Sequence, residues 1–402
     1  MQRGSDMSGA GETGLTARIV GSVGAFDAQD WNALCGTSRN ADDYNPFLSQ
    51  AFLGALEDSG CATARSGWRP AHLRLDDAAG RLLGAVPAYL KSHSQGEYVF
   101  DHGWADAFER AGGDYYPKLQ ISIPFTPATG PRLLVRRGGD GSTIRAALAQ
   151  TLQAATAQLE ASSAHVTFAT QPDVEALECA GFLHRTDQQF HFFNEGFGCY
   201  GDFLATLASR KRKALKKERR EAVAAGISID RLTGSDLTEG IWDDFFAFYM
   251  DTGGRKWGRP YLNRRFFSLI GERMSEDVLL VMAKRNGRYI AGAINFIGAH
   301  TLYGRNWGCI EDHPFLHFEV CYHQAIDFAI ERGLKVVEAG AQGEHKLARG
   351  YRPVTTHSLH HIAHPGLRRA IADYLERERR DVARAVEYFE EHAPFRKEAN
   401  SD

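Results

Sequence analysis

Three consecutive pieces decide how this chain reads: Thr301-Leu-Tyr-Gly-Arg-Asn-Trp307, then Phe318-Glu-Val-Cys-Tyr-His-Gln-Ala-Ile-Asp-Phe-Ala-Ile330, then Lys335-Val-Val-Glu-Ala339. A short strand-like run, a helix apolar on most sides and a Val-rich strand make a buried strand–helix–strand unit. The helix, Leu316 to Arg332, then begins at the carboxyl end of the first strand. Its unpaired N–H groups and partial positive charge suit an anion there. Asp312 and Pro314 also fit the start of an ordinary buried crossover helix. The second strand runs into Gly340-Ala-Gln-Gly-Glu-His-Lys-Leu-Ala-Arg-Gly-Tyr351, and α/β sheets place ligands on such loops. Glu338 is the most pointed residue, because a carboxylate on a Val-rich inner strand must be paired, protonated or functional.

Working outward, Val278 to Lys284, Arg288 to Ile297 and Thr301 to Trp307 read as a three-strand meander. Before it come a long helix from Tyr200 to Ala225, a strand from Ile227 to Leu232 and an aromatic helix from Gly240 to Asp251. The first half repeats the order: helices at Asp27 to Cys35 and Asn45 to Asp58, strands between His72 and Phe100, then helix Thr143 to Ala161, strand His165 to Ala169 and helix Asp173 to Ala180. The expected class is α/β, with two similar domains, each a mixed twisted sheet flanked by helices. Residues 1–16 are expected to be a disordered tail. Residues 17–189 and 190–365 form the two domains, the second with the active site, and 366–402 a C-terminal helix and tail.

The chain has 402 residues, 43% hydrophobic and 24% charged, with a net charge of −3 from 47 basic and 50 acidic side chains. That excludes a disordered chain, a disulfide-stapled miniprotein and a globally polycationic binder. No apolar run reaches the roughly 18 residues of a membrane span, and no secretory signal is visible, so a cytoplasmic protein with reduced cysteines is expected. The densest basic run is Ser209-Arg-Lys-Arg-Lys-Ala-Leu-Lys-Lys-Glu-Arg-Arg-Glu221. It is an amphipathic helix suited either to solvent or to a phosphate-rich partner. Gly9 to Gly14 matches GxGxxG but has no strand before it and no apolar helix after it. His357, His360, His361 and His364 lack a carboxylate or thiol nearby in sequence, so no metal is expected. Hydrolase elbows, P-loops and HExxH are absent.

Ile123-Pro-Phe-Thr-Pro-Ala-Thr-Gly-Pro-Arg132, the basic run 209–220, Arg255-Lys-Trp-Gly258, Tyr303-Gly-Arg-Asn-Trp-Gly308, Leu316-His-Phe-Glu-Val-Cys321 and Glu338-Ala-Gly-Ala-Gln-Gly-Glu-His-Lys346 resemble the FemAB-like predicted N-acyltransferases of the GNAT superfamily, often labelled peptidoglycan-biosynthesis proteins. The resemblance covers about residues 20 to 390. It implies tandem GNAT-like domains and transfer of an acyl group from a thioester, acyl-CoA, to a small-molecule amine. No permanently bound cofactor is implied. It maps the donor to the splay between Thr301–Trp307 and Lys335–Ala339, with Asn306, Trp307, Gly308, Leu316, His317 and Phe318 as donor-binding residues. Glu319, Glu338 and His345 become candidate bases, and Tyr351 resembles a general acid. Arg255, Lys256, Trp257, Tyr303, Arg305 and Lys346 are the candidate acceptor-side residues. The loop Ile310-Glu-Asp-His-Pro-Phe315 departs from the GNAT phosphate loop, having two acids and no glycine. Fem-type relatives take an aminoacyl group from tRNA, which the basic helix 210–220 would suit. A non-catalytic binding protein on the same fold is the third reading.

Overall fold

A computed structural model of the chain describes residues 6–7, 14–257, 260–340 and 343–396. The class is α/β, and the chain forms two compact units, Met1–Asp187 with Thr355–Ala383, and Gln188–Val354 with Arg384–Asp402. The first departs from the expected boundaries: residues 355–362 belong to the N-terminal unit, because Leu359 to Ile362 pair antiparallel with Val166 to Ser163. Within the expected tail, Asp6–Met7 pairs with Ala17 and Arg18, and most of the GxGxxG match lies outside the described residues.

In the N-terminal unit one antiparallel sheet runs Asp6–Met7, Thr16–Val20, His72–Asp76, Leu82–Val86, Leu134–Val135. A second set runs Trp68–Pro70, Tyr89–Lys91, Lys118–Ile121, Ser163–Val166 and then residues 355–362, with Lys118–Ile121 and Ser163–Val166 parallel. Side chains alternate faces along a strand. Leu119, Ile121, Ala164, Val166 and Leu359 enter the apolar core. Lys118, Gln120, Ser163, His165 and His360 take the opposite face and are buried as well. A helix at His102–Arg110 had no counterpart in the sequence reading.

In the C-terminal unit the strands run Ile227–Leu232, Val278–Arg285, Arg288–Ile297, Thr301–Cys309, Val336–Glu338 and residues 188–193. Asn286 and Gly287, both with positive φ (50° and 78°), make the two-residue turn that a twisted hairpin favours. The helix expected over 200–225 is two helices, Tyr200–Thr206 and Ser209–Ala222. The chain extends at Leu207 and Ala208 (ψ 152° and 141°), which sets the Leu207 side chain fully in the core. The aromatic helix runs on to Trp257, and Arg264–Met274 adds a further helix. The helix expected from Leu316 to Arg332 is helical over 316–331 but contains a π turn at Glu319–His323.

Strand Thr301–Cys309 lies against helix Glu239–Trp257 so closely that a Cβ on Gly308 would stand 2.1 Å from the Phe248 carbonyl oxygen. Gly308, read from sequence as a donor contact, is therefore also a packing position. Gly308→Ala is expected to lower the unfolding free energy by about 3 kcal/mol, at the upper end of overpacking effects, because a helix backbone must move. Urea unfolding checks this, and a change below about 1 kcal/mol would show that the helix yields freely.

Candidate active site

Thr301–Cys309 and Val336–Glu338 pair in parallel through Thr301 with Val336, Leu302 with Val337 and Tyr303 with Glu338. Val336–Glu338 then ends, while Thr301–Cys309 continues to Cys309 paired only with Arg288–Ile297. The two strands therefore part after Tyr303. On the paired side the register slips, since Ala293 faces Trp307 and Asn295 faces Gly304. This bulge falls at Arg305 and Asn306, and a bulged residue is left out of the ladder, with backbone groups turned away from it.

The crossover helix returns onto this gap. Its π turn carries Glu319 to His323; such turns re-aim side chains and recur at functional sites. A cavity of about 70 Å³ is lined by Asn295, Arg305, Asn306, Trp307, His317, Cys321 and Tyr322, among others. A larger cleft of about 520 Å³ is lined by Trp307, His317, Phe318 and the loop residues 311–315. Trp307 and His317 line both, with ring centroids 5.2 Å apart. The gap between the strands thus has an inner chamber and an aromatic outer cleft.

The predicted residues divide three ways. Asn306, Trp307, Arg305, His317, Phe318 and Leu316 line the chamber or the cleft. Tyr303 and Glu338 sit side by side where the strands part, Glu338 also facing His191 across the other neighbour. Burial, with Lys346 nearby, pushes the His191 imidazole down to about 4. Lys346 is buried and donates from Nζ to the Gly340 carbonyl oxygen at 2.7 Å. Burial lowers its ammonium to about 8, with Cys321 opposing and Arg305 assisting. The His345 side chain is exposed, with Nε2 2.9 Å from the Tyr322 hydroxyl.

Two candidates have other duties. The Glu319 carboxylate is 3% exposed and accepts from Arg219 at 3.0 and 2.8 Å and from Gln324 at 2.8 Å. It holds the basic helix Ser209–Ala222 onto the π turn, so its lone pairs are committed. The Tyr351 ring is fully buried against Phe192 and Tyr322, and its hydroxyl has no hydrogen-bond partner among the described residues. Arg255, Lys256 and Trp257 close the helix Glu239–Trp257, and their side chains lie outside the described residues. Sequence reading assigned no role to Cys321 or Tyr322. A π turn has no periodicity signal to reveal which helix face looks into the gap.

Glu218, beside Arg219, is tied to His323 Nε2 at 2.8 Å and to Arg349 at 2.8 and 2.7 Å. The outer face of the same helix leaves Arg210, Lys211, Lys213, Lys216, Lys217 and Arg220 exposed. Among the described residues no group of three or more His, Cys, Asp or Glu could hold a metal ion. His360 instead meets His165 at 2.7 Å, and His357 meets His184 at 3.0 Å. No described helix is long and apolar enough to cross a membrane.

A family model, FemAB-like, described as peptidoglycan biosynthesis/recognition, matches residues 22–397. No curated protein matches the chain. Among solved structures, the crystal structure of FemX is 12% identical with a TM-score of 0.49, covering 77% of this chain and 92% of that one. L-PGS from Bacillus licheniformis is 9% identical with a TM-score of 0.48, covering 79% and 91%. A tandem GNAT protein from the clavulanic acid biosynthesis pathway is 13% identical with a TM-score of 0.45, covering 87% and 99%.

Proposed function

The chain belongs to the FemAB-like family, and from that premise we propose that it transfers an aminoacyl group from tRNA to an amine of a peptidoglycan precursor, in the gap between Thr301–Cys309 and Val336–Glu338. Acyl transfer to an amine needs a donor for the developing oxyanion, a base for the amine proton and an acid for the leaving group. The bulge at Arg305 and Asn306 supplies backbone N–H groups beside the chamber. Glu338 and Lys346 are the candidates for the amine proton. A Lys346 held near 8 is in part neutral at cytoplasmic pH.

The resemblance seen in the sequence implies an acyl thioester. One observation carries the change to an RNA-borne ester: the inner face of the basic helix is bonded to the π turn through Glu218–His323 and Arg219–Glu319. Its six exposed cations are thereby held on the opposite face of a fixed helix, an array that suits a polyphosphate partner. The start of the crossover helix, where a CoA pyrophosphate would lie, instead presents Asp312, an exposed carboxylate, and Phe315 in a left-handed conformation with φ 62°. The use of charged tRNA would place the reaction in the cytoplasm.

The test supplies purified protein with a pool of radiolabelled aminoacyl-tRNA or with acetyl-CoA, and a nucleotide-linked precursor carrying a free lysine amine. Label should move from tRNA to the precursor and fall steeply with salt, each lost phosphate contact flattening the salt slope by roughly 0.7–0.9. Combined Lys213→Glu, Lys216→Glu and Lys217→Glu should reduce kcat/KM at least tenfold with tRNA. Transfer from acetyl-CoA alone would restore the thioester reading. Precursor binding with no transfer from either donor would favour a binding protein.

A further inference from the structure

We infer that Tyr322, not Tyr351, is the general acid of this transfer, and that His345 returns the proton Tyr322 gives up. The assignment rests on the aminoacyl-ester reading above and deepens it. Tyr322 lines the chamber together with Arg305, Asn306 and Cys321, and is 5% exposed. Its ring is held from three sides, stacked with Phe318 at 6.2 Å and edge-on to His317 at 5.5 Å and to Tyr351 at 5.7 Å. Its hydroxyl meets His345 Nε2 at 2.9 Å. Tyr351 sits behind it with no route to the chamber through a hydrogen bond among the described residues.

His345 is built to face both ways. Its side chain is exposed, so it exchanges protons with solvent, while Nε2 reaches inward to Tyr322. Its position depends on Gly343, whose φ is 116° and whose hypothetical Cβ would stand 2.4 Å from the His345 ring. Arg349 Nη1 donates to the His345 carbonyl oxygen at 2.6 Å and fixes the backbone. A glycine that must stay bare and a buried guanidinium therefore hold one exposed imidazole against one buried phenol.

The chemistry calls for such a pair. A ribose alkoxide is a poor leaving group unless protonated as it departs. Burial drives the Tyr322 phenol well above its ordinary value, with Cys321 adding to this and Arg349 opposing, so it is a proton donor rather than a base. The amine nitrogen forms a C–N bond to the carbonyl carbon. The C–O bond to ribose breaks with its electron pair going to oxygen, and the Tyr322 proton moves to that oxygen. His345 Nε2–H reprotonates the phenolate, the proton shed by the acceptor nitrogen is taken by Glu338 or Lys346 and passes from there to water, and water returns a proton to His345. Ester plus amine gives amide plus alcohol, with both residues regenerated.

A general acid matters only when the leaving group needs one. The test compares aminoacyl-tRNA with the 4-nitrophenyl ester of the same amino acid, whose phenolate leaves unaided. Tyr322→Phe should lose about a hundredfold in kcat with aminoacyl-tRNA and less than about threefold with the nitrophenyl ester. His345→Gln keeps a donor to the Tyr322 oxygen but cannot pass protons. It should lose at least about tenfold with tRNA and little with the activated ester. Circular dichroism and unchanged KM for both donors confirm that the variants are folded. Equal losses with both donors, or no loss for Tyr322→Phe, overturn the assignment while the transferase reading stands. A wild-type protein inert with both donors overturns that reading and the assignment with it.

Discussion

Replacing Lys118 with methionine is expected to remove about 3–5 kcal/mol of unfolding free energy from the N-terminal unit, because it breaks a buried ion cluster rather than deleting it. Lys118 has no exposed surface, and its Nζ donates to Ser94 Oγ at 2.7 Å, to Glu97 Oε2 at 2.7 Å and to Asp101. Burial disfavours its ammonium, but the carboxylates of Glu97 and Asp101 outweigh burial and hold it above the ordinary lysine value. Asp101, penalised by burial, is kept below its usual range by the same lysine and also accepts from Tyr115 at 2.7 Å. Methionine fills the space and leaves two carboxylates facing each other with only Lys91, its Nζ 3.8 Å from Glu97 Oε1, to offset them. Both can escape by protonation, so the loss should be larger at pH 8 than at pH 5. A loss under about 1 kcal/mol at pH 8 would mean that the cluster is not closed to water.

The cluster also has a pH signature in the unaltered protein. Burial raises Glu97 to about 7 from an ordinary value of 4.5. Between those values the folded state holds a proton the unfolded chain has lost, so this contribution is full below about 4.5 and lost as pH rises through about 7. Burial lowers Lys91 from 10.5 to about 7, which gives the mirror image: stability present above about 10.5 and lost as pH falls through about 7. Glu97→Gln should therefore remove that contribution between pH 4.5 and 7 and leave the Lys91 one above 7, read as the difference in urea midpoint between variant and unaltered protein across the range.

These residues show where sequence reading stops. Lys118-Leu-Gln-Ile alternates polar and apolar, and alternation ordinarily means one face in water. Here the segment carrying Ser94, Glu97 and Asp101 covers the polar face, which no local pattern announces. The apolar runs at 278–284, 288–297 and 335–339 were legible because strands buried on both faces are continuous hydrophobic runs. The break at Leu207 was not, since Leu204, Leu207 and Leu215 continue a helical stripe on either side of it. Glu338 stood out as a carboxylate among valines. Glu319 looked equally available because its partner Arg219 is 100 residues away in sequence. Tyr351 looked like a loop residue, yet Gly350, with φ 82°, turns the chain inward and buries it.

Glu218 tests whether the basic helix truly has two separable faces. Its Oε1 accepts from His323 Nε2 at 2.8 Å and Arg349 Nε at 2.8 Å, and its Oε2 from Arg349 Nη2 at 2.7 Å. Burial would raise its carboxyl, but His323 and Arg349 outweigh it and hold the group below the usual range. The stability it contributes is therefore present above about 4.5 and lost as pH falls through the lower folded value. Glu218→Ala leaves the Arg349 guanidinium, 5% exposed and 3.3 Å over the Phe318 ring, without its counter-ion. The expected loss is about 3 kcal/mol or more. Since Arg349 also fixes the His345 backbone, transfer from aminoacyl-tRNA should fall with it, and transfer from the activated ester much less. Lys217→Glu, one position away on the outer face and 65% exposed, should do the reverse. Its unfolding midpoint should hardly move, while transfer from tRNA weakens and that from a small ester does not. Loss of stability in both variants would mean that the helix is a structural element on both sides, and the RNA partner would then have to dock elsewhere.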